Sequence, residues 1–154
     1  MKLSLIAVGK LKTSHWRDAQ EDYLERIRRY APLKLVETKD RIGHGLDEKT
    51  AMVQEGEDLL NAAEDSSAIV TLVPEGTSLT SAEWAKTLAR LGETYSRLAF
   101  IVGGPAGVAE PVRKKSVLQL SLSAMTFPHE LARIVFLEQL YRAFTILKGE
   151  KYHK

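Results

Sequence analysis

The stretch Leu98-Ala99-Phe100-Ile101-Val102-Gly103-Gly104-Pro105-Ala106-Gly107 shows the pattern on which the fold prediction depends. It opens with a short apolar run, which is typical of a buried strand. Glycine and proline follow at once, and glycine at a strand end lets the backbone adopt positive φ and pass close to a ligand. The stretch predicts a strand that runs into a candidate binding loop, although a plain tight turn is the alternative.

Further apolar runs predict four more strands. Pro74 and Gly76 are expected to stop the third strand in chain order, because proline has no N–H to offer to a neighbouring strand. These four predicted strands are Leu3–Val8, Leu33–Val36, Ala68–Val73 and Val117–Leu122.

Helical patterns separate the strands. Ser14 is expected to cap the first helix, with Asp18 in its first turn. Thr80 and Glu83 have the spacing of a capping box before another helix. Two longer helices are predicted over residues 49–64 and 128–148.

Alternation of strands and helices predicts a single α/β domain over residues 1–154, with a mainly parallel sheet and helices on both faces. Ligands of such sheets bind beyond the carboxyl ends of the strands. This rule directs attention to the loops after Val8, Val73, Val102 and Leu122.

The last predicted helix, residues 128–148, carries apolar residues around most of its circumference. We therefore expect more than one neighbour to cover it, and a homodimer whose interface includes it. Its narrow polar stripe contains Glu138, Arg142 and Thr145. Glu138 and Arg142 are four residues apart in the order that favours an ion pair, which is a structural alternative to any catalytic role of Arg142.

Composition excludes several kinds of chemistry. The chain has no cysteine, so disulfides, thiolate catalysis and cysteine-bound zinc are excluded, and its four histidines show no metal-ligand spacing. We therefore expect no metal site. The apolar run at the N-terminus is too short to span a membrane, so the expected location is the cytoplasm. The net charge of +2 says little about partners.

Three segments are candidates for function. The glycine-rich loop at 103–107 fits neither a phosphate loop nor a dinucleotide fingerprint, because the required lysine and glycine spacing are missing. The segment 122–130 leads from a strand through small polar residues to Pro128-His129, which suits a cradle for a flat heterocycle. A capped surface loop is the alternative. Gly149 is expected to end the last helix. The tail that follows places cations around Tyr152, a composition that suits RNA contact. A frayed end without a role is the alternative.

These pieces, in this order, resemble one bacterial family. They are Ala7-Val8-Gly9-Lys10-Leu11-Lys12, Ile101 to Gly107, Leu120 to His129, Leu140-Tyr141-Arg142-Ala143-Phe144 and Tyr152-His153-Lys154. The chain resembles the ribosomal RNA large subunit methyltransferases H, which are pseudouridine N-methyltransferases of the SPOUT class. The resemblance covers the whole chain. One departure is that Val73-Pro74 follow Leu72 where the family often has an acidic residue.

The resemblance implies a C-terminal trefoil knot, a homodimer with the active site at its interface, and the cofactor S-adenosylmethionine. The implied activity is methylation of a ring nitrogen of a pseudouridine in large-subunit (23S) ribosomal RNA, on the assembled ribosome. By position, the implied cofactor contacts are Leu72, Gly103, Leu122, Ser123, Ala124, Met125, Thr126 and Phe127.

Methyl transfer from a sulfonium needs alignment and removal of a proton, and no metal. His129 is a candidate base, and Arg133 and Arg142 are candidate cations that assist loss of the proton. The candidate RNA contacts are Lys10, Lys12, Lys151, Tyr152, His153 and Lys154. Two alternatives stay open: an RNA- or ribosome-binding α/β module without catalysis, and a flavodoxin-like nucleotide sensor.

Overall fold

Five strands alternate with five helices in a computed structural model that describes all residues, 1–154. In chain order they are β1 (Lys2–Val8), α1 (Ser14–Arg28), β2 (Leu33–Thr38), α2 (Glu48–Ala62), β3 (Ala68–Ser78), α3 (Ser81–Thr94), β4 (Arg97–Val102), α4 (Glu110–Lys115), β5 (Leu118–Ser121) and α5 (His129–Leu147).

The strands form one sheet in the order β2-β1-β4-β3-β5, and every neighbouring pair is parallel. Successive residues of a strand face opposite sides, so Leu5 packs in a core with α1, α3 and α5, while Ile6 packs with α2 and α4. Both cores are mainly apolar at the sheet surface, with Thr71 and Ser121 as buried polar exceptions. The predicted parallel α/β sheet with helices on both faces is confirmed.

The last helix is covered on several sides within one chain. α5 packs against α1 and α3, and Phe136 contacts Phe100 of the sheet with ring centroids 5.1 Å apart. Gly149 ends the helix at φ +68°, and the N–H groups of Gly149 and Glu150 donate to the carbonyls of Ile146 and Thr145. The apolar circumference of α5 is thus explained by intrachain packing, and the trefoil knot stays a prediction.

The third strand does not stop where the sequence predicted. β3 continues through Pro74 and Gly76 to Ser78, with a shift of register against β5 between Leu72 and Thr77. A Cβ on Gly76 would lie 2.6 Å from the carbonyl oxygen of Gln119. Gly76 has no side chain, so β5 can approach β3 closely after the irregularity. The strand therefore continues past Gly76 instead of ending there.

The start of α1 also differs from the prediction. Thr13, not Ser14, precedes the helix, no side chain caps it, and Asp18 lies beyond the first turn. The Thr13 hydroxyl instead donates to Glu130 at 3.0 Å, a tertiary contact that the local sequence does not show. At α3 the predicted capping box is present: the N–H of Glu83 donates to Thr80 Oγ1 at 3.2 Å, and the N–H of Thr80 donates to the Glu83 carboxylate at 2.7 Å.

We predict that Gly76→Ala lowers the free energy of unfolding by about 1–3 kcal/mol, because the new methyl group overlaps the backbone of β5. Urea denaturation followed by circular dichroism measures the effect. The matched control is Gly92→Ala in α3, where the added Cβ meets only the flexible side chain of Met1. Equal denaturation midpoints for Gly76→Ala and the wild-type chain would show that β5 does not pack this closely.

Candidate active site

A cleft of about 690 Å³ opens at the carboxyl ends of β4 and β5, beside the irregular segment of β3. The loops after β4 and β5 and the β3 segment around Pro74 form its walls, at the edge that the rule for open parallel sheets predicts. Residues that line it include Met52, Leu72, Val73, Pro74, Glu75, Val102, Gly103 to Val108, Arg113, Leu120, Leu122, Ser123, Met125, Thr126, Phe127, Pro128, His129 and Ala132.

The structure brings together nearly all of the cofactor contacts that the resemblance implied. Ala124 is exposed and does not line the cleft. The other seven, which do line it, are Leu72, Gly103, Leu122, Ser123, Met125, Thr126 and Phe127.

Sequence reasoning missed several cleft residues. Glu75 was missed because the strand before it was expected to end at Pro74, and the irregularity in β3 carries it to the cleft. Met52 and Arg113 come from α2 and α4, whose sequences carry no binding motif. Glu75 and Arg113 are the one carboxylate and the one guanidinium among the residues that line the cleft.

The glycine-rich loop is a tight turn folded against its own strand. The N–H of Gly107 donates to the carbonyl of Gly104 at 3.0 Å, and Gly107 has φ +86°. A Cβ on Gly103 would lie 2.6 Å from the Gly107 carbonyl oxygen. Gly103 is thus required by the turn itself, whereas no atom lies within 4 Å of a Cβ placed on Gly107. Only the Cα of Gly107 faces open space, because its N–H and carbonyl are directed at Gly104 and Gly103 of the same turn.

The loop between β5 and α5 forms the opposite wall. The Ser121 hydroxyl donates to the Ser123 carbonyl at 3.1 Å, and the N–H of Met125 donates to Ser123 Oγ at 2.9 Å. Met125 has a relative exposure of 77%, so an apolar side chain stands at the mouth of the cleft. Pro128 is the residue that precedes α5, where its extended backbone suits a helix start.

The first turn of α5 holds the β1–α1 loop beside the cleft. The Glu130 carboxylate accepts from the N–H of Lys12 at 2.5 Å and from the Thr13 hydroxyl. Burial raises the pKa of Glu130, but these hydrogen bonds outweigh it and the net pKa is lowered. Lys10 and Lys12 therefore stand next to the helix turn that contributes His129 to the cleft, and both lysine side chains are exposed.

Arg133 is a structural residue in this arrangement. Its guanidinium is 2% exposed, donates to Glu37 at 2.8 Å and to Gln20 at 3.2 Å, and contacts the carbonyls of Val8 and Gly9 at 3.2 and 2.8 Å. Only Nε–H lacks a partner. Arg133 does not line the cleft, so the structure does not place it with His129 as a catalytic cation.

Arg142 forms a cluster with the C-terminal tail, which we call the tail cluster: Glu138, Arg142, Tyr152 and His153. Arg142 donates to Glu138, the ion pair that the sequence offered as an alternative, and its guanidinium lies 4.7 Å from the ring centroid of Tyr152. The Tyr152 hydroxyl also donates to Glu138, and Arg142 contacts His153 Nδ1 at 3.3 Å. Burial and the Glu138 carboxylate raise the pKa of Tyr152 to about 12.

The tail cluster does not line the cleft of its own chain. Tyr141, which packs on Tyr152 with ring centroids 4.8 Å apart, comes twelve residues after His129 in α5. At about 1.5 Å per residue this is roughly 18 Å along the helix axis. Lys151 and Lys154 are exposed beside the cluster. The sequence prediction that the tail lies near the cleft is therefore not met within one chain.

Glu55 is a buried carboxylate behind the glycine-rich loop. It is 3% exposed, accepts from the N–H of Arg41 at 2.9 Å, and leaves Oε1 without a partner. Burial raises its pKa, and Asp40 adds to this effect. Oε1 would lie 3.8 Å from a Cβ on Gly104, so Glu55 connects the β2–α2 loop to the floor of the glycine turn.

Comparison with known proteins identifies the class of protein to which the chain belongs. The family model described as "Predicted SPOUT methyltransferase" matches residues 1–153. A crystal structure of a probable methyltransferase from Bordetella pertussis is similar with a TM-score of 0.57 and 16% sequence identity, covering 92% of this chain and 95% of that one. At this identity the likeness supports the fold alone. None of the helices combines the length and apolar character that crossing a membrane requires.

Full-length relatives narrow the class to one family. Ribosomal RNA large subunit methyltransferase H of Coprothermobacter proteolyticus is 42% identical over 155 residues. The proteins of the same name from Clostridium beijerinckii and Bacillus thuringiensis are 40% and 39% identical over 159 and 160 residues. Each alignment covers all of both chains. The chain belongs to the ribosomal RNA large subunit methyltransferase H family of the SPOUT methyltransferases.

We predict that Arg133→Met lowers the free energy of unfolding by about 3–5 kcal/mol, because it leaves the Glu37 carboxylate and two backbone carbonyls without their donor. Chemical denaturation measures the change. The matched control is Arg26→Met, which removes an exposed ion pair with Asp22 and should cost less than about 1 kcal/mol. If Arg133→Met keeps wild-type stability but loses methyl transfer, Arg133 acts in catalysis after all.

Proposed function

We propose that the chain transfers a methyl group from S-adenosylmethionine to a ring nitrogen of a pseudouridine in 23S ribosomal RNA, on the assembled ribosome. The observation that carries the proposal is the cleft, in which the loops after β4 and β5 and the irregular segment of β3 converge beside an exposed histidine and a basic loop. The names of the full-length relatives support the choice of ribosomal RNA as substrate.

The cleft fits a nucleoside-sized methyl donor. Its volume of about 690 Å³ lies within the usual range for small-molecule sites. Apolar side chains such as Leu72, Leu120 and Phe127 offer contact surface for a flat base. When bound, S-adenosylmethionine supplies a methyl group activated by a positively charged sulfur.

The chain's own residues have three tasks in this reaction. The walls of the cleft align the reacting groups and exclude water. His129, exposed at the cleft, is positioned to accept the proton of the target nitrogen. Lys10 and Lys12 stand where they can bind the phosphates of the RNA that enters the site.

We also propose a two-fold homodimer in which the tail cluster of one chain reaches the cleft of the other. No residue of the tail cluster lines the cleft of its own chain, and a second copy is a way to bring Arg142, Tyr152 and His153 to the substrate. A half-buried stripe of α5 that connects the cleft to the tail cluster is available for the contact, and consists of Leu131, Val135, Glu138 and Arg142. An enzyme of ribosomes would work in the cytoplasm.

The proposed activity predicts transfer of a radiolabelled methyl group from S-adenosylmethionine to whole 70S ribosomes, with free 23S RNA and isolated large subunits as poorer substrates. Nucleoside mass spectrometry should find the label on a pseudouridine. His129→Ala should reduce the rate by about tenfold or more, while His44→Ala, in an exposed loop, serves as the control. Binding of S-adenosylmethionine and ribosomes without any transfer would instead identify a non-catalytic RNA-binding module.

Removal of residues 151–154 should leave the fold and S-adenosylmethionine binding intact but reduce methyl transfer to ribosomes by an order of magnitude or more. The reason is loss of Tyr152, which can stack on a base for about 1–3 kcal/mol, and of two lysines that bind phosphates. Filter binding at several salt concentrations should also show a weaker salt dependence. A truncated enzyme that methylates ribosomes at the wild-type rate would refute a role for the tail.

A further inference from the structure

One end of the cleft carries a pair of opposite charges that the proposed reaction has not used. Glu75 and Arg113 both line the cleft, and the Glu75 carboxylate lies 3.8 Å from Arg113 Nη2. This separation is longer than the 2.7–2.9 Å of a charge-assisted hydrogen bond. The two groups attract each other, yet each keeps hydrogen-bonding capacity for a ligand.

The fold fixes the positions of Glu75 and Arg113. The irregularity in β3 between Leu72 and Thr77 brings Glu75 to the cleft, and the close approach of β5 to Gly76 fixes the strand directly after it. Arg113 Nε donates to the side chain of Gln119 at 3.2 Å, and the Gln119 amide donates back to the Arg113 carbonyl at 3.3 Å. Bulges of this kind re-aim side chains near binding sites.

The two charges differ in how much of them faces solvent. The side chain of Glu75 is 67% exposed and that of Arg113 is 28% exposed, so both are accessible from the cleft. A carboxylate accepts hydrogen bonds from an ammonium, and a guanidinium binds a carboxylate with two parallel donors. Side by side, they match the adjacent ammonium and carboxylate of an α-amino acid.

We infer that Glu75 and Arg113 bind the amino-acid end of the methyl donor, with Glu75 accepting from its α-ammonium and Arg113 donating to its α-carboxylate. The apolar residues of the cleft are then left for the adenosine. This inference rests on the proposed binding of S-adenosylmethionine. It assigns specificity for the methionine part of the donor to two residues that no binding motif contains.

Calorimetric titration with three ligands tests the inference on the wild-type chain, Glu75→Gln and Arg113→Gln. S-adenosylhomocysteine carries the complete amino acid, 5′-methylthioadenosine lacks it, and decarboxylated S-adenosylmethionine keeps only the amine. We expect both variants to bind S-adenosylhomocysteine at least tenfold more weakly and 5′-methylthioadenosine within twofold of wild type. Decarboxylated S-adenosylmethionine should be sensitive to Glu75→Gln and insensitive to Arg113→Gln.

The controls are Glu110→Gln and Lys114→Gln, which change exposed charges on α4 outside the cleft lining. Equal weakening of S-adenosylhomocysteine and 5′-methylthioadenosine by Glu75→Gln would place Glu75 on the ribose and overturn the inference. Unchanged affinities for all three ligands would also overturn it. A wild-type chain that binds none of the three would refute the proposed function itself, and with it this assignment.

Discussion

Parallel pairing of all five strands is the constraint on which the rest of the structure depends. Because the strands run in one direction, their carboxyl ends meet at one edge, and every loop that leaves this edge can contribute to a single site. The cleft receives residues from the ends of β4 and β5 and from the irregular middle of β3, and the loop after β1 stands beside it. The site is thus a consequence of topology, and the individual loops decide what it binds.

Two charged residues, Arg133 and Glu130, then fix the start of α5 to this edge. The buried guanidinium of Arg133 connects α5 to the carbonyls that end β1 and to Glu37 of β2. One turn earlier, Glu130 holds the β1–α1 loop through Lys12 and Thr13. Both residues are charged, yet neither lines the cleft, so they position His129 and the loop before α5 without contacting a ligand there.

Much of this arrangement was predictable from the sequence. Apolar runs indicate strands, and the alternation of strands with helices indicates a parallel sheet. The glycine-rich loop and the segment after β5 were identified as candidate binding loops, and both form cleft walls. Contacts between distant parts of the chain were not predictable. Gly76 was expected to end a strand and instead allows β5 to pack closely. Thr13 replaces Ser14 as the residue before α1, and its hydroxyl bonds to Glu130, which lies far away in sequence. The sequence suggested Arg133 as a catalytic cation. Its buried structural role was not predictable, because its four hydrogen-bond partners lie more than ninety positions away in sequence.

In the proposed dimer, the cleft of one chain and the tail cluster of the other form one active site. Mixed dimers test it most directly, with one chain carrying Ala106→Trp, which fills the cleft, and the other lacking residues 151–154. Each parent homodimer should be nearly inactive toward ribosomes. The purified mixed dimer should regain about half of the wild-type rate, because one of its two shared sites is intact. A mixed dimer as inactive as both parents, with S-adenosylmethionine still bound by the truncated chain, would contradict it.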